Sequence, residues 1–157
     1  MFNLIFQKMK TIVEKLKKTN GSLLGKPASS AEIAAVSSKM QRTGFPEMPE
    51  ELKKLLKIAD GIFYNGIEIW PCDADNVHDP DFRPRSIMEV NKKMAMSSFS
   101  RKWPDSLIIG QSDEEIYCFS SRQNKYFIID RTGFEAYYDF DDLKSLLIKV
   151  VDERLPE

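Results

Sequence analysis

The apolar positions near the start of the chain recur at intervals of three and four residues, the spacing of one helix face. Charged residues fall largely outside that face, so the spacing predicts an amphipathic first helix over residues 2–18. A loop over residues 20–27 follows it. We expect the helix to pack on its own domain rather than on a membrane. Its apolar face consists of Phe2, Ile5, Phe6, Met9, Val13 and Leu16.

A capping box predicts the start of a second helix. Ser29 and Glu32 have the required spacing, in which each side chain bonds the backbone N–H of the other residue. The helix is predicted to end at Thr43-Gly44. Its inward-facing residues are Ile33, Val36 and Met40.

The stretch over residues 48–70 carries the clearest local signals in the chain. Pro49 occupies the position of a first helical residue, where the missing N–H of proline costs nothing. Gly61 suits the left-handed residue that ends many helices. Asn65-Gly66 predicts a tight turn, followed by a strand in which Trp70 is expected to be a core residue. The apolar face of this third helix is formed by Leu52, Leu55, Leu56 and Ala59.

An irregular stretch over residues 71–85 comes next and contains three prolines and four aspartates. Residues 86–96 then show helical spacing of apolar side chains and predict a fourth helix. A strand is predicted over residues 107–110. The polar residues between these elements predict loops.

The last part of the chain is rich in strands that follow one another through short turns. Residues 116–119 and 126–129 predict a hairpin. A turn leads from the hairpin into a strand over residues 134–138. Asp139 is predicted to cap a closing helix that begins with Phe140.

These elements predict an α+β fold, in which an antiparallel sheet is flanked by helices that pack on one face. The length of 157 residues and the absence of a linker predict a single domain over residues 1–157. Hydrophobic residues make up 42% and charged residues 30%, which is typical of a globular protein. The formal net charge of −1 argues against direct nucleic-acid binding, which favours a basic face.

The two cysteines, Cys72 and Cys118, are too few and too far apart for a disulfide framework or a thiolate metal site. We expect buried, reduced thiols and therefore a cytoplasmic protein. Lys8 interrupts the initial apolar residues before they reach the length of a signal-peptide core. No stretch approaches the ~20 apolar residues that a membrane helix needs, so no membrane association is expected.

Three separated segments match a known family. The first combines a proline-led helix with an aspartate–glycine end, the second is the strand that ends at Gly110 before an acidic turn at Asp113, and the third is the closing helix led by Phe140. Over about residues 31–147 the chain resembles the SUKH superfamily, also known as the Smi/Knr cell-wall assembly regulator family; residues 1–20 form an additional helix. The first segment is carried by Pro49, Leu52, Leu55, Leu56, Asp60 and Gly61.

The resemblance implies an α+β fold without catalytic residues and without a cofactor. Bacterial members are mostly immunity proteins that bind and neutralise a toxin, often a nuclease, delivered between cells. We therefore expect a protein partner, a toxin domain first of all, and a monomer or weak homodimer. The alternative is a regulatory scaffold that binds an endogenous protein, as in some fungal members. The residues assigned to the scaffold of the fold are Pro49, Leu52, Leu56, Gly61, Trp70, Gly110 and Phe140.

The chain offers little material for catalysis. His78 is its only histidine, and neither a nucleophile motif nor a phosphate-binding glycine loop occurs. The loop over residues 73–84 fails as a calcium loop, because His78 replaces the required glycine and Pro84 the final glutamate. A metal-dependent hydrolase centred on Asp75, His78 and Asp79 is the third hypothesis. We expect no metal site and no enzyme.

Negative charge is instead clustered over residues 73–81, 113–115 and 139–142. Carboxylates placed against the basic groove of a nuclease would steer association and block phosphate binding. Phe82 follows the first cluster and is a candidate apolar anchor, as are Tyr64 and Trp70 if they are exposed. The candidate partner-binding residues are Asp73, Asp75, Asp79, Asp81, Phe82, Asp113, Glu114 and Glu115.

Overall fold

Seven strands follow one another across a single antiparallel sheet, each hydrogen bonded to the next in chain order. The computed structural model describes residues 2–156, without the side chains of residues 2 and 3, so the predicted inward position of Phe2 lies outside the described residues. The strands are β1 Leu23–Leu24, β2 Ile62–Tyr64, β3 Ile67–Ile69, β4 Ser106–Gln111, β5 Glu115–Ser120, β6 Lys125–Asp130 and β7 Ala136–Phe140.

Six α-helices complete the domain within the described residues, so the predicted α+β fold is confirmed. The predicted element order lacked β1, β2 and α5. These are among the shortest elements of the chain, and runs of two to four residues are too short to show periodicity. The helices are α1 Phe2–Lys17, α2 Ser30–Arg42, α3 Glu50–Ile58, α4 Ile87–Met94, α5 Phe99–Lys102 and α6 Leu143–Val150.

Helices cover both faces of the sheet. The ring of Trp103, at the end of α5, lies 4.9 Å from the ring of Phe127 in β6. The hydroxyl of the adjacent Tyr126 donates to Glu51 of α3 instead, at 3.4 Å. Because successive strand residues point to opposite faces, α5 and α3 lie on opposite sides. The expectation that the helices pack on one face is therefore wrong.

One hydrophobic core joins the sheet to the helices. Helix α1 contacts α3 and α6 on the face to which Tyr126 points, while α4 contacts β4. Trp70 is 1% exposed and lies in this core, and both Cys72 and Cys118 are buried free thiols. The fully buried leucines of α3 are Leu52, Leu55 and Leu56.

Both ends of α3 differ from the prediction. Pro49 is the N-cap rather than the first helical residue, because its ψ of 150° is extended and its carbonyl accepts the first helical bond from Lys53. The helix already ends at Ala59, whose backbone is extended. Gly61 follows with φ +110° and leads into β2 instead of ending the helix. This early end turns the intervening Asp60 into the protein interior.

The hairpin turn follows the prediction, whereas the closing helix does not. Asn65 and Gly66 have φ values of +50° and +82°, as a tight β2–β3 turn requires. Phe140 pairs with Tyr126 as the last residue of β7, so the strand continues beyond the predicted helix start. Asp142, not Asp139, caps α6, by accepting a 2.7 Å hydrogen bond from Ser145 N–H.

Two glycines allow close approaches between backbones. A Cβ atom at Gly110 would lie 2.3 Å from the carbonyl oxygen of Glu68, so glycine permits β3 to pair with β4. A Cβ atom at Gly25 would lie 1.8 Å from the carbonyl oxygen of Asp60. Glycine at these two positions therefore brings the β1 segment and β4 against the segment that contains Asp60 and Glu68.

Candidate partner-binding surface

The start of the loop over residues 71–85 is hydrogen bonded to a buried carboxylate. Asp60 is fully buried, and its Oδ1 accepts a 2.8 Å hydrogen bond from Cys72 N–H. Its Oδ2 accepts from Asp73 N–H at 3.1 Å and from Asn76 Nδ2 at 2.9 Å. A carboxylate accepts without donating, so it satisfies the N–H groups of a tight bend that no strand pairs. In the sequence, Asp60 is notable only as part of the family-like segment, and no local signal predicts this role.

Burial raises the pKa of Asp60, while the hydrogen bonds from Asn76, Cys72 and Asp73 act in the opposite direction. Burial, followed by the charge of Asp60, also raises the pKa of the Cys72 thiol. A thiol that resists ionisation is a poor nucleophile and a poor metal ligand. Cys72 is thus a structural residue that donates through Sγ to Asp60 at 3.4 Å.

Asn76 connects the same loop to α2 and to the β1 segment. Its Nδ2 also donates to Glu32 Oε2 at 3.1 Å, and its carbonyl accepts from Lys26 N–H at 2.7 Å. Glu32 is the glutamate of the capping box with Ser29, and the hydrogen bond from Ser29 N–H lowers its pKa. The side chain and the backbone carbonyl of this one residue therefore join the loop to three segments that are distant in sequence.

The outer part of the loop, which we call the outer loop, comprises Asp75 and residues 78–83 and is exposed. Local hydrogen bonds fold it. Asp73 accepts from Asp75 N–H, and Asp79 from Asp81 N–H, both at 2.9 Å. Such Asx turns use the aspartate side chains to order the backbone. Arg83 lies 2.6 Å from Asp75 and offsets its charge, with both side chains mostly exposed. The first acidic cluster is thus a structured turn as well as a negative surface.

Phe82 is an exposed aromatic residue that packs against a second aromatic ring. The residue is 40% exposed, and its ring forms an edge-to-face pair with that of Phe63 in β2, at a centroid distance of 5.2 Å. Together the two rings line a groove of about 370 Å³ beside the β2–β3 turn. Glu68 and Asp113 line the same groove. We call this the Phe82 groove.

The structure therefore brings together two predicted residues that are far apart in sequence. Asp113, in the turn from β4 to β5, reaches the Phe82 groove because β3 and β4 are neighbours and their ends coincide. Ser112 orders this turn by accepting from the N–H groups of Glu114 and Glu115 at 3.4 and 3.2 Å. Asp113, Glu114 and Glu115 also line an adjacent hollow of about 270 Å³, which includes Arg154.

Most of the other candidates lie outside the Phe82 groove. Asp73 is a half-buried residue of the loop. The exposed Asp75, Asp79 and Asp81 do not line the Phe82 groove either. Tyr64 is half-buried and lines the groove, with its hydroxyl donating to the Arg154 carbonyl at 3.3 Å. The predicted surface is thus divided between the groove and the outer loop.

The third acidic cluster forms a separate cleft at the opposite end of the strands. Asp141 and Asp142 face Glu50 and Glu51 of α3 across a cleft of about 600 Å³. Burial raises the pKa of Glu51, against a hydrogen bond from Leu143 N–H, and the charge of Asp142 raises it further. The carboxylates of α3 are not among the predicted site residues, because their only local signal is the common acidic first turn of a helix.

The metal hypothesis receives no geometric support. Within residues 2–156, no three histidine, cysteine, aspartate or glutamate side chains are grouped so that they could hold a metal ion. Asp75, His78 and Asp79 are exposed and do not converge on a point.

Comparisons with known proteins add no assignment. The chain matches no protein-family model and no curated protein. In the part of the chain that the structure describes, no helix combines the length and apolar character needed to cross a membrane. The resemblance to the SUKH superfamily thus stays a prediction from the three sequence segments.

Proposed function

We propose that this chain is a non-catalytic, SUKH-like immunity protein that neutralises a cognate toxin domain by stoichiometric binding. The observation that carries the proposal is the position of Phe82 and Asp113 on one groove. An apolar anchor beside carboxylates is suited to a basic protein surface, such as the substrate groove of a nuclease. The partner covers the groove and part of the outer loop.

Phe82 is suited to act as the anchor because its free state is already ordered. Its ring rests against Phe63, and the loop that carries it is tied to Asp60 and closed by Asx turns. An anchor held in one position loses less conformational entropy when it binds. The exposed part of the ring then supplies apolar area for burial by the partner.

Charge supports a basic partner. Asp113 lines the groove and Glu114 the adjacent hollow, with Arg154 as the cation of that hollow. Asp79 and Asp81 extend the exposed carboxylates along the part of the outer loop that precedes Phe82. This distribution speeds encounter with a positive surface and competes with the phosphates of a nucleic-acid substrate.

The architecture is also the one that the family resemblance implies. An antiparallel sheet is flanked by helices, and the segment from Pro49 to Gly61 supplies both α3 and the buried Asp60. In this proposal, the family-like segment does not itself contact the toxin. It positions the loop that does.

The direct test uses a toxin domain encoded beside the gene of this chain. We expect one-to-one binding by isothermal titration calorimetry, and protection of cells in which the toxin domain and this chain are produced together. A chain that neither binds nor protects against such a toxin overturns the proposal. If the chain instead binds an endogenous protein, the scaffold alternative replaces it.

Four variants locate the interface. Phe82→Ala and Asp113→Asn are each expected to weaken toxin binding by about tenfold or more, the range of a central interface residue. Met96→Ala removes an apolar side chain that is 92% exposed and does not line the groove, so affinity should be unchanged. Asp141→Asn removes a charge from the other acidic cleft. Loss of binding in Asp141→Asn alone would assign the interface to that cleft and contradict the Phe82 groove.

A further inference from the structure

A small hollow lies between α4 and the sheet, and it shares no lining residue with the Phe82 groove. Its volume is about 130 Å³. The lining is apolar at the bottom, where Trp70, Ile108 and Ile116 are almost completely buried. The remaining apolar residues of the lining are Val90 and Met94, both from α4.

Three cations from separate segments line this hollow. Arg85 is the last residue of the loop over residues 71–85, Lys93 belongs to α4 and Arg131 lies in the turn from β6 to β7. The Arg85 guanidinium carbon lies 5.9 Å from the centroid of the Trp70 ring. Arg131 donates to the carbonyl of Ser112 at 3.0 Å. All three side chains belong to exposed residues.

The positive charge of the hollow is mostly uncompensated. Within residues 2–156, none of the three cations forms an ion pair. Glu68 does not line the hollow but is hydrogen bonded to two residues that do. Its Oε2 accepts from Trp70 Nε1 and from Gln111 Nε2, each at 3.1 Å. These bonds hold Trp70 and Gln111 in position and leave an excess of cations, although the whole chain has a net charge of −1.

We propose that this hollow binds a small monocarboxylate whose apolar body is about the size of a benzene ring. An apolar cavity of about 150 Å³ holds benzene in another protein. This hollow is slightly smaller but is lined on one side by exposed residues, so it accommodates the ring with the carboxylate at its exposed rim. The ring occupies the apolar bottom against Trp70, and the carboxylate lies among Arg85, Lys93 and Arg131. Guanidinium groups bind carboxylates through paired, charge-assisted hydrogen bonds.

The apolar bottom favours this ligand class over inorganic phosphate. A multiply charged anion pressed against Ile108 and Ile116 would lose hydration without gaining polar partners there. A ring with one carboxylate places its apolar part on the apolar surface and its charge at the cations. This site does not depend on the proposed toxin binding.

Phenylacetate is the probe for the test, titrated into the full ¹⁵N-labelled chain and followed by NMR. We expect the indole N–H signal of Trp70 to shift, whereas that of Trp103, which donates to the Phe134 carbonyl elsewhere, stays in place. Phenylacetamide, the neutral analogue, should bind at least about tenfold more weakly. Equal binding of acid and amide, or no shift at Trp70, overturns the proposal.

Consecutive lysines of α4 supply a matched pair of variants. Lys93 lines the hollow and Lys92 does not, while both are exposed and both lose one charge on substitution by glutamine. Lys93→Gln should weaken phenylacetate binding about threefold, the effect of one exposed charge. Lys92→Gln should leave it unchanged. Equal effects of the two substitutions would show a general effect of charge and would contradict a specific binding site in the hollow.

A peptide that ends in phenylalanine also carries an aromatic ring beside a carboxylate. The tripeptide Gly-Gly-Phe is therefore a second probe. Tighter binding of the tripeptide than of phenylacetate identifies a C-terminal aromatic residue as the natural ligand. Tighter binding of phenylacetate identifies a free acid. Both results support the site only if phenylacetate itself shifts the Trp70 signal, and binding of the tripeptide alone overturns the proposal.

Discussion

The carboxylate of Asp60 accepts a 2.8 Å hydrogen bond from the backbone N–H of Cys72, twelve residues further along the chain. Asp60 ends the α3 segment, and Cys72 begins the loop that carries Phe82. The buried bond therefore joins α3 to the proposed binding surface. We expect residues that only support the loop to influence binding in this way.

Replacement of Asp60 should be among the most damaging substitutions in the protein. Asp60→Ala leaves the N–H groups of Cys72 and Asp73 without their acceptor and removes one of the two acceptors of the Asn76 amide. We expect a loss of about 2–4 kcal/mol in the free energy of unfolding, measured with urea. Asp79→Ala, in the exposed turn, is the control and should cost less than about 1 kcal/mol. Equal costs would contradict the central role of Asp60.

Gly25→Ala tests the close approach next to Asp60. The added Cβ would lie 1.8 Å from the Asp60 carbonyl oxygen, so the backbone must move. We expect a destabilisation of about 3 kcal/mol or more in urea. Gly133→Ala is the matched control, because its nearest neighbour would be at 3.4 Å, and its cost should stay below about 1 kcal/mol. A neutral Gly25→Ala would show that this contact is easily relieved.

Asn91 should be essential for the attachment of α4 to the sheet. This buried residue donates to the Ile108 carbonyl at 2.8 Å and accepts from Ile108 N–H at 2.9 Å. Asn91→Ala leaves both groups unpaired, and we expect a loss of about 2–4 kcal/mol in thermal or urea unfolding. Lys92→Ala changes the exposed neighbour in the same helix and should be nearly neutral. A small effect of Asn91→Ala would mean that water replaces the side chain.

The raised pKa of Glu51 predicts the pH dependence of stability. Burial is the main cause, so the folded chain holds this proton more tightly than the unfolded chain, in which the pKa is near 4.5. The contribution of the protonated carboxyl is thus fully present below pH 4.5 and is lost as the pH rises through the raised value. The stability of the wild type relative to Glu51→Gln should therefore fall from pH 4 to pH 7 in urea titrations. A relative stability that rises over this range contradicts the assignment.

Phe82→Ala should have a small effect on folding, which makes it suitable for the binding test. The residue is 40% exposed, and its aromatic contact is with Phe63 alone among the described ring pairs. We expect a cost of about 1–2 kcal/mol by urea unfolding, from the lost burial of part of the ring and from the lost aromatic pair. A larger loss would mean that weakened toxin binding by this variant reports misfolding, and Asp113→Asn would then carry the test.

Local patterns predicted much of the fold because they depend on neighbours within a few residues. The capping box at Ser29, the Asn65-Gly66 turn and the β5–β6 hairpin are as expected. Errors arose where tertiary pairing extends an element. Phe140 was assigned to a helix, yet its pairing with Tyr126 keeps it in β7.

The candidate surface was only partly predictable. The sequence indicated Phe82 and Asp113 as candidate partner-binding residues but carried no signal that would place them on one groove. It also gave no sign that Arg85, Lys93 and Arg131 would surround one hollow, since they are spread along the chain without a motif. Side chains that meet across a sheet leave no mark in the spacing of any one segment.

The α+β class, the amphipathic helices and the antiparallel strand order follow from periodicity, capping and short turns. These signals depend only on residues that are close together in the sequence. The buried partner of Asp60, the helices on both faces and the division of the acidic residues between two surfaces required the folded chain. The reason is physical: hydrogen bonds and packing act over a few ångströms, whatever the separation in sequence. Which distant segments come that close depends on how the whole core is packed.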